Sequence, residues 1–120
     1  LVAITAGELE VLFHAGDHAN WEDNEPGISY DDEINHIANQ TPYVDIAFLP
    51  VTSFAGVRAP SITQGALYAI KQLNPKLVFP MHGNRREHLY QAFAKDAKAH
   101  NVNTPITCAE EVGEQWWYPQ

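Results

Sequence analysis

The stretch that most constrains the fold is residues 44–50, VDIAFLP, which is almost continuously apolar. A run of this kind is typical of a strand buried on both faces, as in parallel sheets covered by helices. Residues 9–14 and 76–79 form further β-like runs of similar length. The chain is therefore expected to build a sheet whose faces both need covering.

The remaining pattern predicts helices between these strands. Residues 1–5 and 9–14, separated by Ala6-Gly7-Glu8, predict a hairpin. Helices are predicted at 31–39, with His36 on the polar side, at 61–73, with Ser61 as N-cap and Asn74-Pro75 as the stop, and at 86–100. Residues 19–30, which include Trp21, predict an exposed loop, and 106–108 an edge strand. This order predicts an α/β fold with one mixed sheet, whose three helices suffice to cover one face.

Composition excludes several classes of protein. The 120 residues fit a single domain, 1–120, and the 45% hydrophobic content is enough for a core. A net charge of −8 argues against a nucleic-acid partner, because phosphate binding needs clustered Lys and Arg. No apolar run approaches the roughly 20 residues of a membrane span. The single cysteine, Cys108, is compatible with a reducing cytoplasm, which is the expected location.

Two of the predicted strands run into side chains that can bind metal. Residues 11–18, VLFHAGDH, place Asp17 just past a strand, after a glycine, Gly16, that permits a sharp turn. Residues 77–84, LVFPMHGN, place His82 past another. Asp17 could instead close a turn, and His82 could be a solvated side chain. Together they predict a metal or catalytic site at the sheet edge.

The segments VLFHAGDH, DIAFLPV and ALYAIKQLNPKLVFPMHGN, in this order, resemble the C-terminal half of the metallo-β-lactamase superfamily. The likeness covers residues 1–100 and is strongest to its hydrolases of the ascorbate-phosphate lactonase and N-acyl-phosphatidylethanolamine phospholipase D type. The resemblance implies half of an αββα sandwich. It also implies that Asp17 bridges two metal ions and that His82 completes the second site.

The implied chemistry is metal-dependent hydrolysis of a small-molecule substrate. A carboxylate can hold two metals roughly 3.5 to 4 Å apart, so that they share a hydroxide that attacks an ester, lactone, amide or phosphoester. Zinc, manganese or iron suits the imidazole, and zinc is the expected cofactor. His14 either supports Asp17 or packs within its strand. His18 is a ligand, a substrate contact or a solvated side chain, and Arg58 either contacts an anion or is a solvated loop charge.

One departure from the family pattern bears on activity. The His-x-His-x-Asp-His run and a further upstream histidine are absent, so Asp17 and His82 fall short of the roughly four ligands that one zinc needs. The chain is thus expected to be a truncated half of a longer hydrolase, or to pair with a copy of itself across the uncovered sheet face, and to be inactive alone. The alternative is a non-catalytic half-fold that self-associates or binds a partner.

Overall fold

The computed structural model describes residues 2–6, 10–16, 24–25, 28–41, 43–52, 60–81, 88–111 and 113–116. The strands are β1 (Val2–Ala6), β2 (Glu10–His14), β3 (Asn24–Glu25), β4 (Ile28–Ser29), β5 (Ile46–Pro50) and β6 (Leu77–Met81). The helices are α1 (Tyr30–Gln40), α2 (Pro60–Leu73) and α3 (His88–Ala99). The fold is α/β, as the sequence predicts.

A four-stranded mixed sheet lies at the centre of the fold, with strand order β1-β2-β5-β6. The β1–β2 hairpin is antiparallel, and its register pairs Ala3 with Phe13. Strands β2, β5 and β6 are parallel, with Phe13 opposite Ala47 and Ala47 opposite Val78. The predicted hairpin and the predicted mixed sheet are therefore confirmed.

One face of the sheet forms the hydrophobic core with the helices. The row Phe13, Ala47 and Val78 is fully buried, because residues directly opposite each other on neighbouring strands lie on the same face of the sheet. This row belongs to one cluster with residues from all three helices, among them Ile34 and Phe93. The helices thus pack where the apolar stripes predict.

Helix α1 begins one residue earlier than predicted and has an N-cap. The Ser29 hydroxyl accepts a hydrogen bond from the Asp32 backbone N–H at 3.3 Å. The first turn carries three carboxylates, which interact favourably with the positive end of the helix dipole: Asp31, Asp32 and Glu33. His36 is exposed, as predicted.

Tyrosine hydroxyls join α1 to α2. The buried Tyr30 hydroxyl donates to the Gly65 carbonyl at 2.8 Å, and the Tyr68 hydroxyl donates to Asn35 Oδ1 at 2.6 Å. These two bonds fix the relative position of the helices.

The ends of α2 and α3 each use an asparagine with positive φ. Asn74 (φ 47°) donates its N–H to the Ile70 carbonyl, and Pro75, which lacks an N–H, ends the helix. Asn101 (φ 63°) and Val102 donate to the Lys98 and Ala97 carbonyls, the paired bonds of a Schellman motif. Asn74-Pro75 is confirmed as the stop of α2.

Three sequence predictions need correction. The prediction of Ser61 as N-cap is wrong, because α2 begins at Pro60, a residue favoured in the first helical turn, and Ser61 lies inside the helix. Residues 106–108 do not form a strand; Ile106 makes a single bridge to Val78 of β6. The predicted loop 19–30 contains the paired strands β3 and β4.

Candidate functional site

The candidate site lies at the sheet edge where the parallel strands end. Strand β2 ends at His14, which is opposite Phe48 of β5, and β5 and β6 end together with Pro50 opposite Met81. The pairing extends past the strands, since Ala15 N–H donates to the Phe48 carbonyl at 3.1 Å and Val51 N–H to the Met81 carbonyl at 3.3 Å. This edge is therefore well ordered by backbone hydrogen bonds up to the residues that follow each strand.

Four of the five predicted site residues follow these strands in the sequence but lie outside the described residues: Asp17, His18, Arg58 and His82. Their roles stay predictions. His14 is the fifth, and its surroundings are defined.

The ring of His14 is held from two sides. It stacks on Phe48, with centroids 5.6 Å apart and planes 29° apart, and Nδ1 accepts a hydrogen bond from Gly16 N–H at 3.1 Å. In the neutral imidazole, acceptance at Nδ1 assigns the proton to Nε2. His14 therefore presents an N–H donor at this edge, which suits it to orient a carboxylate better than to bind a metal directly.

Gly16 makes this arrangement possible. Its φ of +64° lies in the left-handed region that glycine adopts without the penalty of a Cβ. The turn that the sequence predicts before Asp17 is thus confirmed at Gly16. It folds the backbone N–H of Gly16 back onto the ring of His14.

Thr52 is a polar residue at the same edge that the sequence analysis did not single out. It follows the end of the central strand β5 by two residues, and its side chain is only 3% exposed. In the sequence, the signal for Thr52 is a hydroxyl residue that directly follows an apolar run. A buried hydroxyl can donate a hydrogen bond to an anionic group.

The second face of the sheet carries a row of aromatic rings. Phe48 stacks on Phe79 of β6 with centroids 5.4 Å apart, and Phe79 meets Trp116 edge-on, also at 5.4 Å. Phe48 and Phe79 are half-buried, whereas their neighbours Ala47 and Val78 are fully buried on the helix-covered face. The row begins at His14 and so joins the candidate edge to the second face.

Cys108 is poorly suited to act as a nucleophile or thiolate ligand. Burial, and secondarily the neighbouring Glu110 carboxylate, raises the pKa of its thiol. The thiol form therefore dominates at neutral pH.

Two comparisons of the sequence with known proteins give no relative. No protein-family model matches the chain, and no curated protein matches it in sequence. Among the described residues, no group of three or more His, Cys, Asp or Glu side chains is arranged to hold a metal ion. Within those same segments, the helices are too short or too polar to cross a membrane.

Proposed function

We propose that the chain is one half of a metal-dependent hydrolase of the metallo-β-lactamase type, with Asp17 and His82 as metal ligands. In this proposal the half-fold packs its second sheet face on another half, which is either a second copy or a segment that precedes it. The ion-bound hydroxide attacks an ester, lactone, amide or phosphoester.

The observation that carries the proposal is the parallel arrangement of β2 and β6. Both strands end at the same sheet edge with only β5 between them, and His14 of β2 is level with Phe79 of β6, so these two residues are about 10 Å apart, two strand spacings. Asp17 follows the end of β2 by three residues, and His82 follows β6 directly. Three residues of chain span up to about 10 Å, so the separation can be bridged.

The chemistry at the described part of the edge is compatible with this role. His14 offers an N–H three residues before Asp17, and carboxylates that bind metals are commonly held by such donors. The aromatic row on the second face supports the pairing of two halves, because half-buried aromatic rings still have apolar surface that a partner could bury.

Metal analysis of the full chain, purified without chelator, tests the proposal. We expect zinc, manganese or iron at about one ion per chain, or about one per two chains if two copies supply the ligands of one site. Asp17→Ala and His82→Ala should each abolish the metal. His100→Ala is the matched control, because it removes an exposed imidazole beyond the end of α3 and should leave the metal content unchanged.

Light scattering after size-exclusion chromatography tests the pairing. A dimer with bound metal supports the proposal. A dimer without metal supports the alternative, a non-catalytic self-association module, and a well-folded, metal-free monomer contradicts the pairing of two copies.

A further inference from the structure

A lysine-rich groove lies at the opposite edge of the sheet, where α2 and α3 end. It contains a cavity of about 540 Å³ lined by Lys71, Asn74, Lys76, Asn101 and Val102, among others. A hollow of about 280 Å³ adjoins it, shares Val102, Asn103 and Thr104 with it, and adds Lys98. We call these two together the lysine groove. A volume of this size is typical of small-molecule sites.

The charge of the lysine groove is opposite to that of the chain. The chain has 15 acidic and 7 basic residues, yet among the described residues that line the groove three are lysines and none carries a carboxylate. Lys76 pairs with the buried carboxylate of Asp45 at 3.2 Å, so one lysine charge is offset. In the described part of the chain, neither Lys71 nor Lys98 forms an ion pair. Lys71 and Lys98 carry about two positive charges, and the negative dipole ends of α2 and α3 offset only part of them, so the groove keeps a net positive charge that favours an anion.

Helix dipoles account for part of this arrangement. Lys71 and Lys98 each lie in the last turn of a helix, where a cation is favoured. That effect needs a lysine near each helix end, but it does not require both ends to meet at one groove whose described lining residues include no acid. The exposed side-chain amides of Asn74 and Asn101 add hydrogen-bond donors to the lining.

The walls of the lysine groove are apolar as well as charged. Val102 is half-buried and Pro105 is exposed, so these two residues supply apolar surface, and the buried Ile70 and Pro75 also line the cavity. Ammonium and amide donors beside an apolar wall suit a ligand that has a phosphate at one end and a ring or alkyl portion at the other. We propose that the lysine groove binds a small organic phosphate monoester.

This proposal is independent of the metal site, because the groove and the candidate edge lie at opposite ends of the parallel strands. Lys76 immediately precedes β6, whereas His82 immediately follows it. A chain that fails to bind metal can therefore still bind a phosphate monoester. A chain that fails to bind a phosphate monoester can likewise still bind metal.

Titration of the full chain with phenyl phosphate, followed by backbone amide NMR, tests the proposal. We expect saturable shifts at residues 101–104, and weaker binding of inorganic phosphate and of benzoate. Lys71→Gln and Lys98→Gln should each weaken binding roughly threefold, and the double variant about tenfold, as expected for exposed charges. Lys95→Gln is the control, because it removes an exposed lysine of α3 that does not line the groove.

Three results would overturn the proposal. The first is the absence of saturation. The second is an equal loss of affinity in Lys95→Gln, which indicates non-specific attraction. The third is equal affinity for inorganic phosphate and phenyl phosphate, which rules out a contribution from the apolar wall. Thermal unfolding of each variant verifies that it is folded before it is titrated.

Discussion

The imidazole of His14 stacks on the phenyl ring of Phe48, its direct neighbour across the parallel β2–β5 pair. Phe48 stacks in turn on Phe79, so one phenyl ring contacts aromatic side chains from both adjacent strands. The position of the His14 ring thus depends on the register of the sheet. The candidate edge and the second sheet face are structurally coupled through Phe48.

Phe48→Ala should destabilise the fold by roughly 1.5 to 3 kcal/mol. This is less than the loss for a fully buried phenylalanine, because Phe48 is half-buried, but it includes both ring contacts. The free energy of unfolding in urea measures the effect. Tyr43→Ala is the control, since Tyr43 is 76% exposed and its loss should change stability by less than about 0.5 kcal/mol. Equal effects of the two substitutions would contradict the packing role of Phe48.

His14→Phe separates the stacking of this residue from its hydrogen bonding. A phenyl ring can keep the stack on Phe48 but lacks the N–H donor and the acceptor that binds Gly16. If His14 orients Asp17, zinc affinity should fall roughly 10-fold or more, as for other residues that support metal ligands. Competition with a zinc chelator measures the affinity, and urea unfolding measures stability. Unchanged affinity would limit His14 to packing.

Asp45 should be a larger source of stability than its partner Lys76. The Asp45 carboxylate is 6% exposed, accepts the Val11 N–H at 2.8 Å and pairs with Lys76, which is 69% exposed. Asp45→Ala deprives the Val11 N–H of its acceptor and should cost about 2 to 3 kcal/mol. Lys76→Met removes an exposed, screened charge and should cost less than about 1 kcal/mol.

A double-mutant cycle in urea measures the coupling of Asp45 and Lys76. The ion pair is the smaller part of the Asp45 contribution. Asp45→Ala should therefore cost nearly as much stability in the Lys76→Met variant as it does in the unsubstituted chain. A larger loss for Lys76→Met than for Asp45→Ala would contradict this ranking.

The elements of the fold could be predicted from local pattern, but their contacts could not. The apolar stripe of α2 and the run at residues 44–50 each signal an element within a few residues of chain. The hydrogen bond from Val11 to Asp45 joins residues 34 positions apart and depends on the β2–β5 register, which no local pattern encodes. Proline is favoured as the first helical residue and serine as an N-cap, so the local sequence does not decide between a start at Pro60 and a cap at Ser61.

The candidate site could be predicted only in part from the sequence, because local pattern does not show which distant residues come together. Apolar runs that end in Gly-Asp and in Pro-Met-His mark the ends of two strands, but the presence of β5 between these strands became evident only from the sheet order. The lysine groove gave no sequence signal, since Lys71 and Lys98 belong to different helices that meet only in the folded chain. Thr52 likewise became notable through its burial.

Substitutions at the two helix ends should reveal the cost of the positive-φ asparagines. Asn74→Ala and Asn101→Ala should each destabilise the chain by about 1 kcal/mol, because asparagine adopts the left-handed region more readily than alanine does. Asn→Gly at either position should be neutral or stabilising by up to about 0.5 kcal/mol. Thermal or urea unfolding distinguishes these outcomes. A glycine variant less stable than the alanine variant would show that the backbone conformation is not the limiting factor.

Tyr30 should make stability depend on pH in alkaline solution. Burial raises the pKa of its hydroxyl well above the ordinary tyrosine value of about 10. The folded chain then keeps the proton while the unfolded chain releases it, so the contribution is fully present below about pH 10 and is lost as pH rises above that value. The slope from this one group is about 1.4 kcal/mol per pH unit.

Tyr30→Phe should remove that slope, and at neutral pH it should cost about 1 kcal/mol because the Gly65 carbonyl loses its donor. Urea unfolding at pH 9 and pH 11 measures both effects, with Tyr43→Phe as a control that leaves the Tyr30 contribution in place. If Tyr30→Phe and the unsubstituted chain lost stability equally between these pH values, the alkaline loss would come from other groups.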